Sequence, residues 1–439
     1  MRFANNIDIS QLKVFVLSIV LLISSMSLCS CNSAEKDTDN YGFPPIELEN
    51  ADVSLLSHWS KDSYSKTADE MYETYGLKVR MLHEEFNLIG RKALLMNSSG
   101  EPLDIVLYTS DQFPLAFAQD VYLPLDSYID FNDELWAPSK RDCDSLRYKG
   151  KIYVAVNKAI NRFIFFNSKL FKEKDIRTPY EKYLTDEWTW EALKNDAQQI
   201  IKRNSDTGEV DVYGIIGSEL PGSIQASKNA AFVILTPEGL RNAVNDENMA
   251  EAMEYMYELF SAQDFVYDSS EDNEELFLSG KCAMMFDGIW RINSRYSEML
   301  RAGDLGMVPI PRWQDSEVDY MNPDYGGFMI SRNTENLSGA LAFLTFYQVL
   351  YRNRTEINEN IMRLQDIGVA KEYLDIAREI NSSKYTSPVQ PALIFDNIYD
   401  NWTPYIWLLH QRQKWSFIRS RTSRYIQDQI DEFNRKYDD

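Results

Sequence analysis

The chain has 439 residues, 44% hydrophobic and 26% charged, a length that calls for more than one core and a composition ordinary for globular proteins. Its net charge of −22 argues against nucleic acid and against an anionic membrane surface, because both partners need clustered Lys and Arg. Aromatic residues reach 13%, with 26 Tyr and 9 Trp, an excess that supplies stacking faces for sugars and equally suits cores and interfaces.

Arg2 and Lys13 flank a short polar lead, and Val14 to Leu28 is a mostly apolar run of 15 residues. That is short for about 30 Å of hydrocarbon and reads as the apolar region of a signal peptide. The run ends in Leu28-Cys29-Ser30-Cys31, which resembles the lipobox of bacterial lipoproteins. The resemblance implies a leader over 1–30, removed before a lipid-modified Cys31, and a polar tether over 31–49. Cys29 departs from the pattern, where a small residue without a thiol is commoner, and cleavage at an ordinary signal site is the alternative. Of the remaining cysteines, Cys143 and Cys282 invite a disulfide in an exported protein, but Cys282 sits in an apolar run, so two free thiols are favoured and the disulfide is the alternative. His58, His83 and His410 are scattered singly, and neither a metal nor a cofactor is expected.

Asp52–Ser57 reads as a first strand ending at His58-Trp59-Ser60. Ala68, Met71, Tyr72 and Tyr75 then recur at helical spacing, with Gly76 placed to end the helix. Leu77 to Met81 is a second strand, and a helix carrying Phe86, Ile89 and Ala93 stops near Gly100. Leu103 to Tyr108 is a third strand with Thr109-Ser110-Asp111 at its carboxyl end, which completes a βαβαβ unit and predicts a parallel sheet. Lys151 to Val156 and Arg162 to Phe166 are strand-like, with Asn157 to Asn161 between them. Thr189 caps a helix, Val212 to Ile216 is a strand, and Asn245-Asp246 open a helix through Met249, Met253, Met256 and Phe260.

An acidic run leads into Leu276-Phe277-Leu278, Gly280 stops it, and Cys282 to Phe286 is apolar throughout, as in a strand buried on both faces. Asp287, Gly288 and Trp290 follow at once, a small polar turn beside a large aromatic ring. Leu305 to Ile310 and Tyr325 to Ser331 are further strands, and from Leu337 the chain is mainly helical.

Together these pieces resemble the family 1 extracellular solute-binding proteins, the substrate receptors of bacterial ABC importers. Phe277, Gly280, Lys281, Ala283, Met284, Gly288 and Trp290 fall on the family's F-x-x-G-K-x-A-M-x-x-x-G-x-W signature. Lys149-Gly150-Lys151-Ile152-Tyr153 followed by Phe166-Asn167, then Thr189-Trp190, Gly306 to Pro311 and Tyr325 to Ser331, match four further regions in the right order. Val156-Asn157 stands where the family often has a proline. The resemblance implies an α/β, two-lobed periplasmic-binding-protein-like fold of type II, whose lobes are joined by a hinge crossed more than once. Lobe one is expected to hold 50–157 and 290–332, and lobe two 158–289 and 333–439.

A neutral sugar is held by aromatic faces on its C–H surfaces and by carboxylates, amides and Arg on its hydroxyls. Trp59, Asp111, Asp287, Trp290 and Tyr325 offer such groups at strand ends, and Asn157, Arg162 and Trp402 are weaker candidates. Asn157 and Arg162 flank the expected hinge, which alone accounts for their polarity. The reading favoured is a monomeric carbohydrate receptor, anchored at the membrane only through its N-terminal lipid, facing the extracytoplasmic side and serving ABC permease subunits. A sensing lipoprotein of the same fold and an exported glycoside hydrolase are the alternatives. Against the latter, the sequence has no G-x-S-x-G, H-E-x-x-H or P-loop pattern.

Overall fold

The computed structural model describes residues 42–217, 220–261, 273–354, 364–382, 385–387, 389, 391 and 413–437. Its strands are β1 (Asp52–Ser57), β2 (Lys78–His83), β3 (Ile105–Leu107), β4 (Ala155–Ala159), β5 (Arg162–Asn167) and β6 (Lys202–Arg203). They continue as β7 (Val210–Ile216), β8 (Val233–Thr236), β9 (Gly239–Asn242), β10 (Cys282–Gly288), β11 (Leu305–Val308) and β12 (Asp324–Ile330). The longer helices are α1 (Lys61–Tyr75), α2 (Ile89–Ser99), α3 (Ala137–Asp144), α4 (Trp190–Ile200), α5 (Leu220–Ser227), α6 (Glu247–Ser261), α7 (Leu337–Arg354), α8 (Lys371–Asn381) and α9 (Trp415–Tyr437).

The strands make one sheet in the order β2-β1-β3-β12-β4 and another in the order β11-β5-β10-β7-β6, with β8-β9 as a separate hairpin. β1, β2 and β3 run parallel, as the βαβαβ pattern predicts, and β12 enters antiparallel between β3 and β4. α1, α2 and α7 cover the first sheet, while α4 packs on β7 and α8 on β11 of the second. Helix ends follow local chemistry. Gly100 takes the left-handed conformation that stops α2, and the Ala192 amide donates to the Thr189 hydroxyl at 3.2 Å to cap α4. Phe343 and Phe346 of α7 are fully buried, each gaining roughly 2 kcal/mol from that burial.

Several expectations need correction. β4 begins at Ala155 and runs to Ala159, so Asn157 lies inside a strand and not between two. The Ile152 amide instead donates to Asp126 at 2.5 Å and its carbonyl accepts from Leu125 at 2.7 Å, which removes that residue from any ladder. β11 pairs antiparallel with β5, which places 305–308 in the second sheet, although 290–332 was expected wholly in lobe one. Likewise α7, expected in lobe two, packs on β1, β4 and β12 of the first sheet. Tyr72 is 54% exposed, so the buried face of α1 is carried by Met71 and Tyr64 without it. Cys143 and Cys282 lie buried and unpaired, one on α3 and one on β10.

The chain passes between the sheets at Ile160-Asn161 and again along 309–323. The first passage is clamped. Asn381, at the end of α8, accepts from the Ile160 amide at 2.8 Å and donates to the Ile160 carbonyl at 3.0 Å. The Ile289 amide donates to the Asn161 carbonyl at 2.8 Å. On the second passage Met321 exchanges backbone bonds with Tyr385 and Ser387, at 3.0 and 2.9 Å. α9 reaches across as well: Asn242 of β9 donates to the Ser423 carbonyl at 2.7 Å, and Gln119 donates to the Tyr437 hydroxyl at 2.7 Å.

Candidate functional site

β1 ends at Ser57, β3 at Leu107 and β4 at Ala159, and their parallel direction puts all three carboxyl ends on one edge of the first sheet. β12, running the other way, begins on that edge at Asp324. Four of the expected site residues therefore share one rim: Trp59, Asp111, Asn157 and Tyr325.

Trp59 is half-buried, stacked on Tyr64 with ring centroids 5.6 Å apart and edge-on to Phe328 at 5.8 Å. The ring is held from behind by core aromatics, while His83 Nδ1 lies 3.3 Å from the Trp59 carbonyl. Asp111 lies in the short 3-10 turn that follows β3. Gln112 braces that turn by donating to the Leu107 carbonyl at 3.0 Å and the Thr109 hydroxyl at 2.7 Å. Burial raises the carboxyl of Asp111 above the ordinary range, partly offset by Thr109. Burial, with the nearby Asp111 charge, also raises the phenols of Tyr108 and Tyr122 far above theirs. The Tyr108 hydroxyl is buried without a hydrogen-bond partner among the described residues.

Asn157 is exposed and sits opposite Gly326, on the strand face that also carries Phe328. Tyr325 sits opposite Lys158 on the other face, half-buried, with its hydroxyl 3.4 Å from that of Thr386. Beneath it the buried Lys158 ammonium stands 3.7 Å from the buried Asp142 carboxylate, and burial lowers the Lys158 pKa.

On the second sheet Arg162 opens β5 and pairs in register with Gly288, the last residue of β10. Asp287 and Trp290 therefore stand at the same rim as Arg162. Asp287 accepts from the Gly288 amide at 2.7 Å and lies 3.5 Å from Arg291. Ile289 is fully buried, whereas Trp290 is 44% exposed, so the turn inserts one residue and presents the next. The Arg162 guanidinium lies over the Trp290 ring, 5.2 Å from its centroid, and pairs with Asp324 on the rim of the first sheet. The two rims thus meet at the passage that joins them.

Trp402 and Cys31 lie outside the described residues. The sequence reading missed Asp324, Tyr108 and Asn381. Only Asp324 left a signal, as a carboxylate just before the Tyr325-Gly326-Gly327 motif. Among the described residues no group of three or more His, Cys, Asp or Glu could hold a metal ion, and no helix is long and apolar enough to cross a membrane.

The chain is similar in fold to the GacH receptor of Streptomyces glaucescens, solved unliganded and with acarbose. The identity is 16% over 87% of this chain and 98% of that one, with a TM-score of 0.60. An ABC substrate-binding protein of Listeria monocytogenes in complex with cycloalternan aligns at 18% identity, over 88% and 98% of the two chains, with a TM-score of 0.61. An extracellular solute-binding protein of Staphylococcus aureus in complex with maltose aligns at 14% identity, over 89% and 99%, with a TM-score of 0.60. At such identities the likeness is one of fold, the two-lobed α/β architecture expected from the sequence. No curated protein sequence matches the chain. A family model does: residues 60–348, which carry both passages and both rims apart from β1 and Trp59, match that of the bacterial extracellular solute-binding proteins, and the chain belongs to this family.

Proposed function

We propose that the protein is the carbohydrate receptor of an ABC importer, binding an oligosaccharide or glycoside between the two rims without altering it. The observation that carries this reading is the half-exposed Trp290 ring, presented by a buried strand across the passage from a rim bearing Trp59 and Asp111. Indole rings take the C–H faces of a sugar, and buried acceptors such as Asp111 discriminate between hydroxyl patterns because a wrong ligand leaves them unpaired. The sugars bound by the fold's solved relatives, acarbose, cycloalternan and maltose, support the same class. Closure of the lobes over the ligand would present the loaded form to permease subunits. Both rims come from one chain, so a monomer suffices.

The lipid at Cys31 would hold the receptor on the extracytoplasmic side of the membrane, near its permease. Replacing Cys31 by Ala should release the mature protein from membranes, and loss of a lipid mass increment checks this. The ligand class is tested by thermal shift against a glycan panel that includes maltotriose, mannotriose, acarbose and cycloalternan, followed by calorimetry. A glycan is expected to raise the melting temperature with no product formed. Product formation, or stabilisation only by peptides or phosphate esters, overturns the proposal.

A further inference from the structure

Arg162 does two jobs at once, and its surroundings leave little room for another residue to do both. Gly288 faces it in register, and a Cβ built on Gly288 would come within 2.3 Å of the Trp290 ring, so the indole lies against the paired ends of β5 and β10. The guanidinium, only 18% exposed, lies over that ring while its Nη1 pairs with Asp324. The second carboxylate oxygen of Asp324 is buried with no hydrogen-bond partner among the described residues, so Arg162 is what holds this side chain. Asp324 in turn pairs through its backbone with Ala159, three residues before Arg162 in the chain. The ion pair therefore closes a small ring around Ile160-Asn161, the first passage between the sheets. A planar guanidinium lies flat on an aromatic face while its edge N–H groups pair with a carboxylate. An ammonium can do both, as Lys228 does over Trp313 and beside Asp315, but it has no plane to stack and no fork to fix the ring's orientation.

We propose that Arg162 and Asp324 are positioning residues. Arg162 sets the orientation of the Trp290 ring, and Asp324 ties that guanidinium to the first sheet, so ring placement depends on the angle between the lobes. Arg162 thus acts through Trp290 and not by direct contact with ligand. This assignment rests on the reading of Trp290 as the ligand-stacking ring, but the coupling itself exists without ligand and is tested without it.

The full chain is compared with Arg162→Lys, Arg162→Ala and Asp324→Asn. The acrylamide quenching of Trp290 is obtained for each as the difference from its Trp290→Phe counterpart. All three variants are expected to raise Trp290 quenching in the ligand-free protein, with Arg162→Lys failing to restore the parent value. Asp324→Asn added to Arg162→Ala should have no further effect. With maltotriose as probe, or the best glycan of the panel, Arg162→Lys should weaken binding about fivefold. Unchanged quenching in Arg162→Lys and Asp324→Asn, both folded by thermal melting, overturns the coupling. Altered quenching in a chain that binds no glycan sustains the coupling and overturns the carbohydrate reading, so the two failures are distinct.

Discussion

Asp111 carries opposite demands on folding and on binding. Burial raises its pKa in the folded chain, so the neutral form is favoured there relative to the unfolded state. Its contribution to stability is therefore full below the ordinary carboxylate range and is lost as pH rises through the raised value. Asp111→Asn should melt higher than the parent at pH 7, and the difference should vanish below the ordinary carboxylate pKa. The same substitution should weaken glycan binding, since an amide is a poorer acceptor than a carboxylate. Melting scans across pH, paired with calorimetry at pH 7, check both. Trp290 presents the simpler case. Its exposure makes Trp290→Ala harmless to the fold, while loss of a central stacking ring should cost about 30-fold in affinity. An unchanged affinity would make the ring structural.

Strands and passages set how those side chains are held. Gly327 has a φ of +138° beside β4, and a Cβ there would approach the Ala155 carbonyl oxygen to 2.3 Å. Gly327→Ala should push β12 from β4 and cost about 2 kcal/mol, read by urea unfolding. Asn381 clamps both backbone groups of Ile160, so Asn381→Ala should cost a similar amount, about 2 kcal/mol, by leaving polar backbone groups unpaired. At this scale the sequence was informative where pattern is local. β1, β5, β7 and β10 are runs whose apolar spacing and flanking turns name them, and the signature run is a buried strand followed by a turn that leaves Trp290 44% exposed. It was uninformative where the partner is remote. Asp324 and Asn381 owe their roles to Arg162 and Ile160, which lie 162 and 221 positions away. β4 was misplaced because Ile152 is as apolar as a strand residue but spends its hydrogen bonds on the turn around Leu125 and Asp126. β11 carries no mark of which sheet it joins, because a buried apolar strand suits either.

For the whole molecule, a net charge of −22 combined with the uncharged glycan proposed as ligand makes a clear expectation. Binding should change by less than about twofold between low salt and about 0.5 M, since screening acts on charge pairs and not on stacking. Small-angle scattering should show a fall in the radius of gyration with ligand, as the lobes close. One feature of the fold also equips it for a different kind of measurement. Cys143 belongs to the first sheet's layer and Cys282 to the second sheet itself, and burial pushes each thiol up to about 12. At neutral pH only about one in 100,000 such thiols would be the reactive thiolate even if reagent could reach it. In a chain beginning at Gly42, alkylation must therefore wait for local opening, and each cysteine becomes a clock for its own lobe. If ligand slows both clocks equally, the lobes open as one cooperative unit. If it slows one alone, each lobe unfolds on its own schedule, and the bound sugar guards only one of them.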